Sequence, residues 1–537
     1  MFGARKNLRI SAQSFGAQSI TLILHPAASS HGGLQLVLES LKPRHVWEIF
    51  ENVLAATPRE SKKEEKVRAA IKKWLQQQVE SKGIDIDVRE DETGNILIKV
   101  PPTPGMESCP SVMLQGHLDM VCETDRPDGF DFDTQPIPVR IMPDGEWVDA
   151  DGTTLGADNG VGVSMALALL VDEDVVHGPL EILLTVDEET GLTGAFGLDV
   201  DTLDPQSRLL VNLDSEDLGV ITIGSAGGGE VEFARNVSLE EPSSDMVFLR
   251  VSVSGLRGGH SGAEIHLHRA NANKLVARML SAVTTGHKVV LCSWSGGSKH
   301  NAITRESEAV IGIGRAELSA VREILNREKA AIVEYYSQKV SGSVLEPDIR
   351  VTVTEVNPAS HLSQDISHGV IWSINAIPHG PRNFSPQIPE LVETSCNLAI
   401  IKTEENRMSV LVSARSSVDE ELESFRREIG DIGRLAGWNV TVSQSYPGWA
   451  PDPDSPFLQF VRKTYEEALG CEVKVEAVHA GLECGIIGAR IPGMQMVSIG
   501  PTVKNPHTPD ERVRIEDVKI VYEFLKALLR SLPDAGL

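Results

Sequence analysis

A chain of 537 residues with 50 basic against 76 acidic side chains carries a formal charge of -26, which disfavours nucleic acid and anionic membrane as partners and suits small substrates. Its length exceeds one ordinary hydrophobic core, so two domains are expected. No apolar run reaches the roughly 18 residues that a bilayer span requires, and six cysteines without a CxxC read as reduced thiols, favouring the cytoplasm.

Residues 1–42 form an N-terminal extension. Its first 38 residues contain Arg5, Lys6 and Arg9 but no acidic side chain, a composition that resembles an organellar transit peptide, with a disordered leader as the alternative. Folded sequence is expected from Pro43. Val46, Ile49, Phe50 and Val53 fall at helical spacing, and 59–82 reads as an amphipathic helix with Val67, Ile71 and Leu75 inward, stopped by Gly83. Strands are expected at 84–88, 95–100, 112–114 and 181–186, with a buried helix at 160–171. This alternation argues for an α/β fold with helices on both faces of a mixed sheet.

The pattern changes after the glycine-rich 224–229. Strands at 248–254 and 309–314, helices at 271–283, 318–339, 365–377 and 420–435, and an antiparallel pair at 391–401 and 408–413 make 228–446 a separate α+β domain. From Pro447 the α/β rhythm returns, with helices at 456–469 and 515–532 and strands at 471–478 and 494–499. The first domain is therefore discontinuous, 43–227 plus 447–537, with 228–446 inserted.

Five short segments carry metal-type ligands, and all lie outside the insertion. They are HLD at 117–119, GADNG around Asp158, DEE at 187–189, NLDSED around Asp214, and PHTPDER around His507. Two histidines with several carboxylates suit a pair of divalent cations, zinc above all. Three of the segments end apolar strands, the usual place for sites in open α/β sheets. His117 and Asp119, two apart on a strand, face the same side, so one can bind metal while the other orients it. Taken singly each segment has a plainer explanation: a structural HxD, a turn aspartate, a solvated acidic turn, a strand-end cap, a surface loop histidine. Their conjunction is what points to a two-metal hydrolase.

Longer phrases sharpen this: DGTTLGADNG at 151–160, VVHGPLE at 175–181, GAFGL at 194–198, GGHSG at 258–262, NANKL at 271–275, HAGLECG at 479–485 and MVSIGPT at 496–502. With the five segments they resemble the co-catalytic zinc peptidase superfamily of aminoacylases, glutamate carboxypeptidases and dipeptidases. Within it the chain is similar to the bacterial aminoacyl-histidine (Xaa-His) or cytosol non-specific dipeptidases, from about Pro43 to Leu532; the leader departs from that pattern.

The resemblance implies that two zinc ions, with manganese or cobalt as substitutes, are held by His117, Asp158, Glu189, Asp214 and His507. Asp158 would bridge, His117 and Asp214 taking one ion and Glu189 and His507 the other. Glu188 would be the general base and Asp119 the orienter of His117. His260, Asn301, Arg415 and Gly481 would contact substrate, and Glu483 could meet a substrate ammonium. Asp rather than Glu at 214 resembles the aminopeptidase and dipeptidase branches. The implied activity is hydrolysis of unblocked dipeptides by a cytoplasmic homodimer joined through the inserted lid domain. The alternatives are an N-acyl-amino-acid deacylase on the same fold and an inactive metal-binding scaffold.

Overall fold

The computed structural model describes residues 8–10, 37–340 and 342–536, the first three as backbone alone. Most of the 1–42 extension, with its transit-peptide or leader reading, lies outside the described residues. Where it is described, the backbone of Leu8–Ile10 pairs antiparallel with strand Ile86–Glu90. Leu38 is also buried.

The chain forms two compact units. The first is Met1–Ile223, Asp452–Glu476 and Leu482–Leu537; the second is Gly224–Pro451 and Ala477–Gly481.

The first unit is built on a mixed sheet. Strand Val112–His117 runs parallel to Leu180–Thr185 on one side and to Leu209–Asn212 on the other. Gln495–Ser498 extends the parallel set, while Ile96–Val100 pairs antiparallel with Leu180–Thr185. Every residue of the three central strands is buried, which requires cover on both faces. Helix Ala157–Ala168 packs on Val112–His117, and helix Pro456–Leu469 packs on Gln495–Ser498 and on helix Ile515–Ser531. Because the central strands are parallel, the residues that follow their carboxyl ends emerge on one rim.

A smaller sheet of very short strands was not legible in the sequence. Val139–Ile141 pairs with Trp147–Ala150, which pairs with Arg512–Arg514, which pairs with Val503–Lys504. It makes 505–511 the tip of a hairpin, and it brings that tip beside the chain entering Gly156–Asp158. Asn505 and His507 adopt positive φ angles of 55° and 60° within the tip.

Two helices of the first unit begin elsewhere than expected. The helix expected over 59–82 begins only at Glu65, since Lys62 has a φ of 69° and Arg59 is drawn into the interior instead. Gly83 ends it as expected, in the left-handed region with its N–H bonded to Val79. The helix expected over 160–171 is Ala157–Ala168, with Asp158 and Asn159 non-helical near its start.

The second unit is an antiparallel sheet. Its order is Arg350–Val356, Met246–Ser254, Ser307–Gly314, Val289–Gly296, Val392–Glu404, Arg407–Ser416, Gly227–Asn236, Asn439–Val442. Gly227–Asn236, glycine-rich at its start and unexpected as a strand, pairs with Arg407–Ser416 through ten residues. Helices Ala272–Thr284, Leu318–Tyr336, Gln364–Ala376 and Asp419–Leu435 pack on this sheet and share its large apolar core.

His479, in this unit, is 6% exposed with Nε2 2.7 Å from Ser395 Oγ. Burial, aided by the Arg415 charge, pushes its pKa down to about 3 from 6.5. Below pH 6.5 the unfolded chain takes up a proton that the native imidazole refuses, so stability is lost as pH falls toward 3. At pH 5 that linkage amounts to about 2 kcal/mol. Urea unfolding at pH 7 and pH 5 should show the unmutated protein losing about that much more than His479→Gln; equal losses would exclude His479 as a source of acid sensitivity.

Candidate active site

Four of the five ligand segments owe their position to the fold just described. His117 ends its strand, Glu188 and Glu189 follow Leu180–Thr185, Asp214 follows Leu209–Asn212, and His507 sits in the tip of the small-sheet hairpin. The fifth, Asp158, lies at the start of helix Ala157–Ala168, just before the cis Asp158–Asn159 bond.

These residues converge on Asp158. Its Oδ1 lies 3.0 Å from His117 Nε2 and its Oδ2 3.2 Å from His507 Nε2. His117 Nε2 also faces Asp214 Oδ1 at 3.3 Å, and His507 Nε2 faces Glu189 Oε2 at 2.9 Å. Two triads therefore share one carboxylate: His117, Asp214 and Asp158, then His507, Glu189 and Asp158. His117 is 1% exposed and Glu189 5%. His507 by contrast is half exposed, so solvent reaches the cluster from the hairpin side.

The donor set fits divalent cations. Glu189 Oε1 and Asp214 Oδ1 are buried without a hydrogen-bond partner, an arrangement that is costly unless a cation satisfies them. In a tetrahedral zinc site with bonds of about 2.0–2.2 Å, neighbouring donor atoms lie about 3.3–3.6 Å apart. The observed 2.9 to 3.3 Å spacings need little opening to reach that. One atom each of His117, Asp158 and Glu189 already lies within 4.8 Å of the others.

With protons as the only cations at the cluster, the electrostatics show the same demand for positive charge. Burial works against a charge on His117, but Asp214, Asp119 and Asp158 outweigh it and raise its pKa well above the usual value. Bonds to Asp158 and Glu189 raise His507 to about 11. Asp158 is pulled below the carboxylate range: burial opposes this, and the two histidines overcome it. Burial raises Asp214 to about 6 against the pull of His117. Metal binding replaces those protons.

Asp119 is completely buried and its two oxygens serve four neighbours. Oδ1 lies 3.3 Å from His117 Nδ1 and accepts the Glu188 N–H at 3.0 Å; Oδ2 accepts the Glu189 N–H at 3.2 Å and the Ser61 hydroxyl at 2.8 Å. Burial would raise its pKa, yet these partners, His117 first, hold it at about 2. Glu188 keeps part of its surface exposed. Its carboxyl is raised well above the ordinary range by the dense protein around it and by Asp214, Glu483 and Glu189, against the opposing His117.

Two residues missed in the sequence hold the Asp158 loop. Glu511, 2% exposed, accepts four successive backbone N–H groups: Leu155 and Gly156 on Oε2 and Ala157 on Oε1, each at 2.8 Å, and Asp158 on Oε1 at 3.2 Å. Arg59, 1% exposed, donates through Nη1 to the carbonyls of Leu118 and Asp119 at 3.1 and 3.0 Å, and through Nη2 to that of Gly156. Glu511 stood inside the quoted PHTPDER phrase, where His507 drew attention. Arg59 stood in a stretch read as helix, and nothing local marked it.

Glu483, read as a partner for a substrate ammonium, is 2% exposed. Its Oε2 accepts from Gln115 Nε2 at 2.7 Å and Thr185 Oγ1 at 2.6 Å.

The expected substrate-contacting residues all lie in the second unit, where they form a cluster of their own. His260 pairs with Ala302 across an isolated bridge, and Ser261 N–H donates to the Asn301 carbonyl at 2.9 Å. His260 Nδ1 accepts the N–H groups of Ala263 and Gly262 at 2.9 and 3.3 Å, which leaves the ring proton on Nε2 as a donor. Arg415 Nη1 donates to Tyr446 Oη at 2.8 Å. A Cβ at Gly262 would lie 3.1 Å from both Arg415 Nε and His260 Cε1, and one at Gly481 would lie 3.2 Å from the Tyr446 ring. Close approach requires glycine at 262, where a Cβ would also lie 2.1 Å from the His479 carbonyl oxygen.

The model of "Peptidase family M20/M25/M40" matches residues 113–531. The chain belongs to that peptidase family. It is 38% identical over 498 residues to the cytosol non-specific dipeptidase of Escherichia coli (strain K12), covering 92% of this chain and 99% of that protein. Among solved structures it resembles an aminoacylhistidine dipeptidase from Vibrio alginolyticus, with a TM-score of 0.84, 37% identity, and 92% and 98% of the two chains covered. A tripeptidase from Staphylococcus aureus, at 16% identity and a TM-score of 0.51 over 92% of this chain and 99% of that one, shares the fold. Among the described residues no helix is long and apolar enough to cross a membrane.

Gly156 provides a direct check on the loop. It has a φ of 68°, and a Cβ there would meet Arg59 Nη2 and sit 2.7 Å from Met120 Sδ. Gly156→Ala should therefore destabilise the protein by about 2–4 kcal/mol in urea unfolding, combining left-handed strain with overpacking. A loss under about 0.5 kcal/mol, the range of ordinary surface changes, would show that Arg59 does not occupy that space.

Proposed function

We propose that the protein is a dinuclear-metal dipeptidase acting on unblocked dipeptides, Xaa-His among them. One observation carries the reading above the rest: a single carboxylate, Asp158, lies between two histidine–carboxylate pairs, with Glu188 next in chain to one of them. Near full-length likeness to a protein named as a dipeptidase supports it.

His117 and Asp214 would hold one ion, His507 and Glu189 the other, and Asp158 both. Zinc suits the donors, with manganese or cobalt as substitutes. Cations held there supply Lewis acidity that makes water acidic near neutral pH and draws charge from the scissile carbonyl. Glu188 accepts the proton of the attacking water and returns it to the leaving amine. Asp119 keeps the imidazole of His117 turned toward Asp158 and, through two backbone N–H groups, fixes where Glu188 starts.

In the second unit, His260 offers an Nε2–H of the kind that stabilises an oxyanion. Arg415 offers a planar fork for a C-terminal carboxylate. Asn301 and Gly481 would complete the substrate contacts. The remaining parts of the reading are 43–227 with 447–537 as catalytic domain, 228–446 as lid and dimer interface, a homodimer, and the cytoplasm as its location.

Hydrolysis of Ala-His compared with N-acetyl-histidine tests the substrate class. Rapid release of histidine from Ala-His alone is expected; preference for the acetylated compound would make the protein a deacylase. Glu188→Ala should retain both ions by elemental analysis while kcat falls by about 100-fold to 10,000-fold. Normal turnover in that variant would remove Glu188 as the base, and an inactive unmutated protein that holds both ions would favour a scaffold.

A further inference from the structure

Leu155 to Asp158 is the one ligand segment that does not inherit its place from a strand end, and two buried ions of opposite sign grip it. Glu511 takes its four consecutive N–H groups, and Arg59 takes the Gly156 carbonyl from the other side. Each ion also belongs to a second ligand segment. Glu511 lies four positions after His507 in the same hairpin tip, which a bond from Glu511 N–H to the Thr508 carbonyl at 3.0 Å closes. Arg59 holds the carbonyls of Leu118 and Asp119, immediately after His117.

The glycines of the phrase agree with such a grip. Cβ atoms at Gly156 and Gly160 would both collide with Arg59 Nη2, the second at 2.6 Å. A side chain at either place would expel the guanidinium. Backbone N–H groups need a partner when buried, and water or a turn would serve for that. A carboxylate and a guanidinium both nearly removed from solvent are an expensive way to do it. Their arrangement makes sense if what matters is where Asp158 stands relative to His117 and His507.

We propose that Glu511 and Arg59 are positioning residues for the metal pair: together they lock the Asp158 loop to the His507 and His117 segments, so that one carboxylate can serve both cations. The inference rests on the dinuclear reading above. Its mechanism is preorganisation. A carboxylate already between both histidines need not be ordered when ions bind, and partners that orient ligands in this way typically affect metal affinity by about 10- to 100-fold.

Glu511→Gln keeps the shape but replaces one accepting oxygen by an NH2 group that faces backbone donors. Glu511→Asp keeps the charge at shorter reach, and Arg59→Lys keeps the charge without the fork. Each full-length protein is stripped with chelator, its folding checked by circular dichroism, and zinc added from a metal buffer. Bound zinc is read by elemental analysis, and the KM and kcat for Ala-His are read at saturating zinc.

Expected for Glu511→Gln is a folded apo-protein whose zinc half-saturation rises by about 10- to 100-fold, with a KM near that of the unmutated protein. Glu511→Asp and Arg59→Lys should fall between. A role in general stability alone would move KM and folding together and leave zinc half-saturation in the folded fraction unchanged, and that result overturns the proposal. If Glu511→Gln does not fold, the two conservative variants decide: unmutated zinc affinity in both overturns it, and weakened affinity in either supports it. Failure of the unmutated protein to bind a second zinc would instead sink the dinuclear reading itself.

Discussion

The Asp158 carboxylate has a partner on each oxygen, and most of the first unit is arranged so that it can. His117 reaches it from the end of a central strand and His507 from a hairpin in a separate sheet. A carboxylate serving two imidazoles leaves little tolerance, because a shift of about 1 Å would lose one hydrogen-bond-length contact. The parallel strands meet half of that demand by delivering His117, Glu188, Glu189 and Asp214 to one rim. The small sheet meets the other half, since its pairing of Arg512–Arg514 with Trp147–Ala150 sets the hairpin tip beside the chain leading to Gly156.

Concentrating Asp119, Asp158, Glu188, Glu189 and Asp214 near one rim is electrostatically unfavourable without cations. The structure spreads that burden unevenly. Asp119 is surrounded by donors and stays ionised, whereas Asp214 and Glu188 have few and are pushed upward. The distinction separates the carboxylate that orients from those that require a metal or a proton. Burial and neighbouring carboxylates raise Asp214 and Glu188, whereas at Asp119 the His117 imidazole and the surrounding donors overcome burial.

The sequence showed the strand-end ligands well, because each is announced locally by an apolar run followed by an acid or a histidine. Helix stops were similarly plain, as at Gly83. What it hid was non-local or too short to have a period. Strands of two to four residues, such as Val503–Lys504 and Trp147–Ala150, give no alternation to read. Gly227–Asn236 looked like a boundary because glycines suppress strand propensity, yet Tyr446 packs so closely that a Cβ at Gly228 would lie 2.7 Å from its Cζ atom. Arg59 was assigned to a helix by amphipathic spacing, and the interior's need for a buried donor overrode that spacing.

That last case bears on how such a site is specified. The residues that make the chemistry are recognisable by type: an imidazole or a carboxylate at a strand tip suggests its own use. The residues that hold them in register are not, because Arg59 and Glu511 act through backbone atoms whose identity no side chain records. Their trace in sequence is indirect and lies elsewhere, in the glycines at 156 and 160 that leave room for a guanidinium. A glycine-rich phrase beside a lone acidic ligand therefore carries information about a distant cation as well as about a turn. In this chain the second half of the DGTTLGADNG phrase reflects that second requirement: the loop passes between two buried ions, offering its donors to one and its carbonyl to the other.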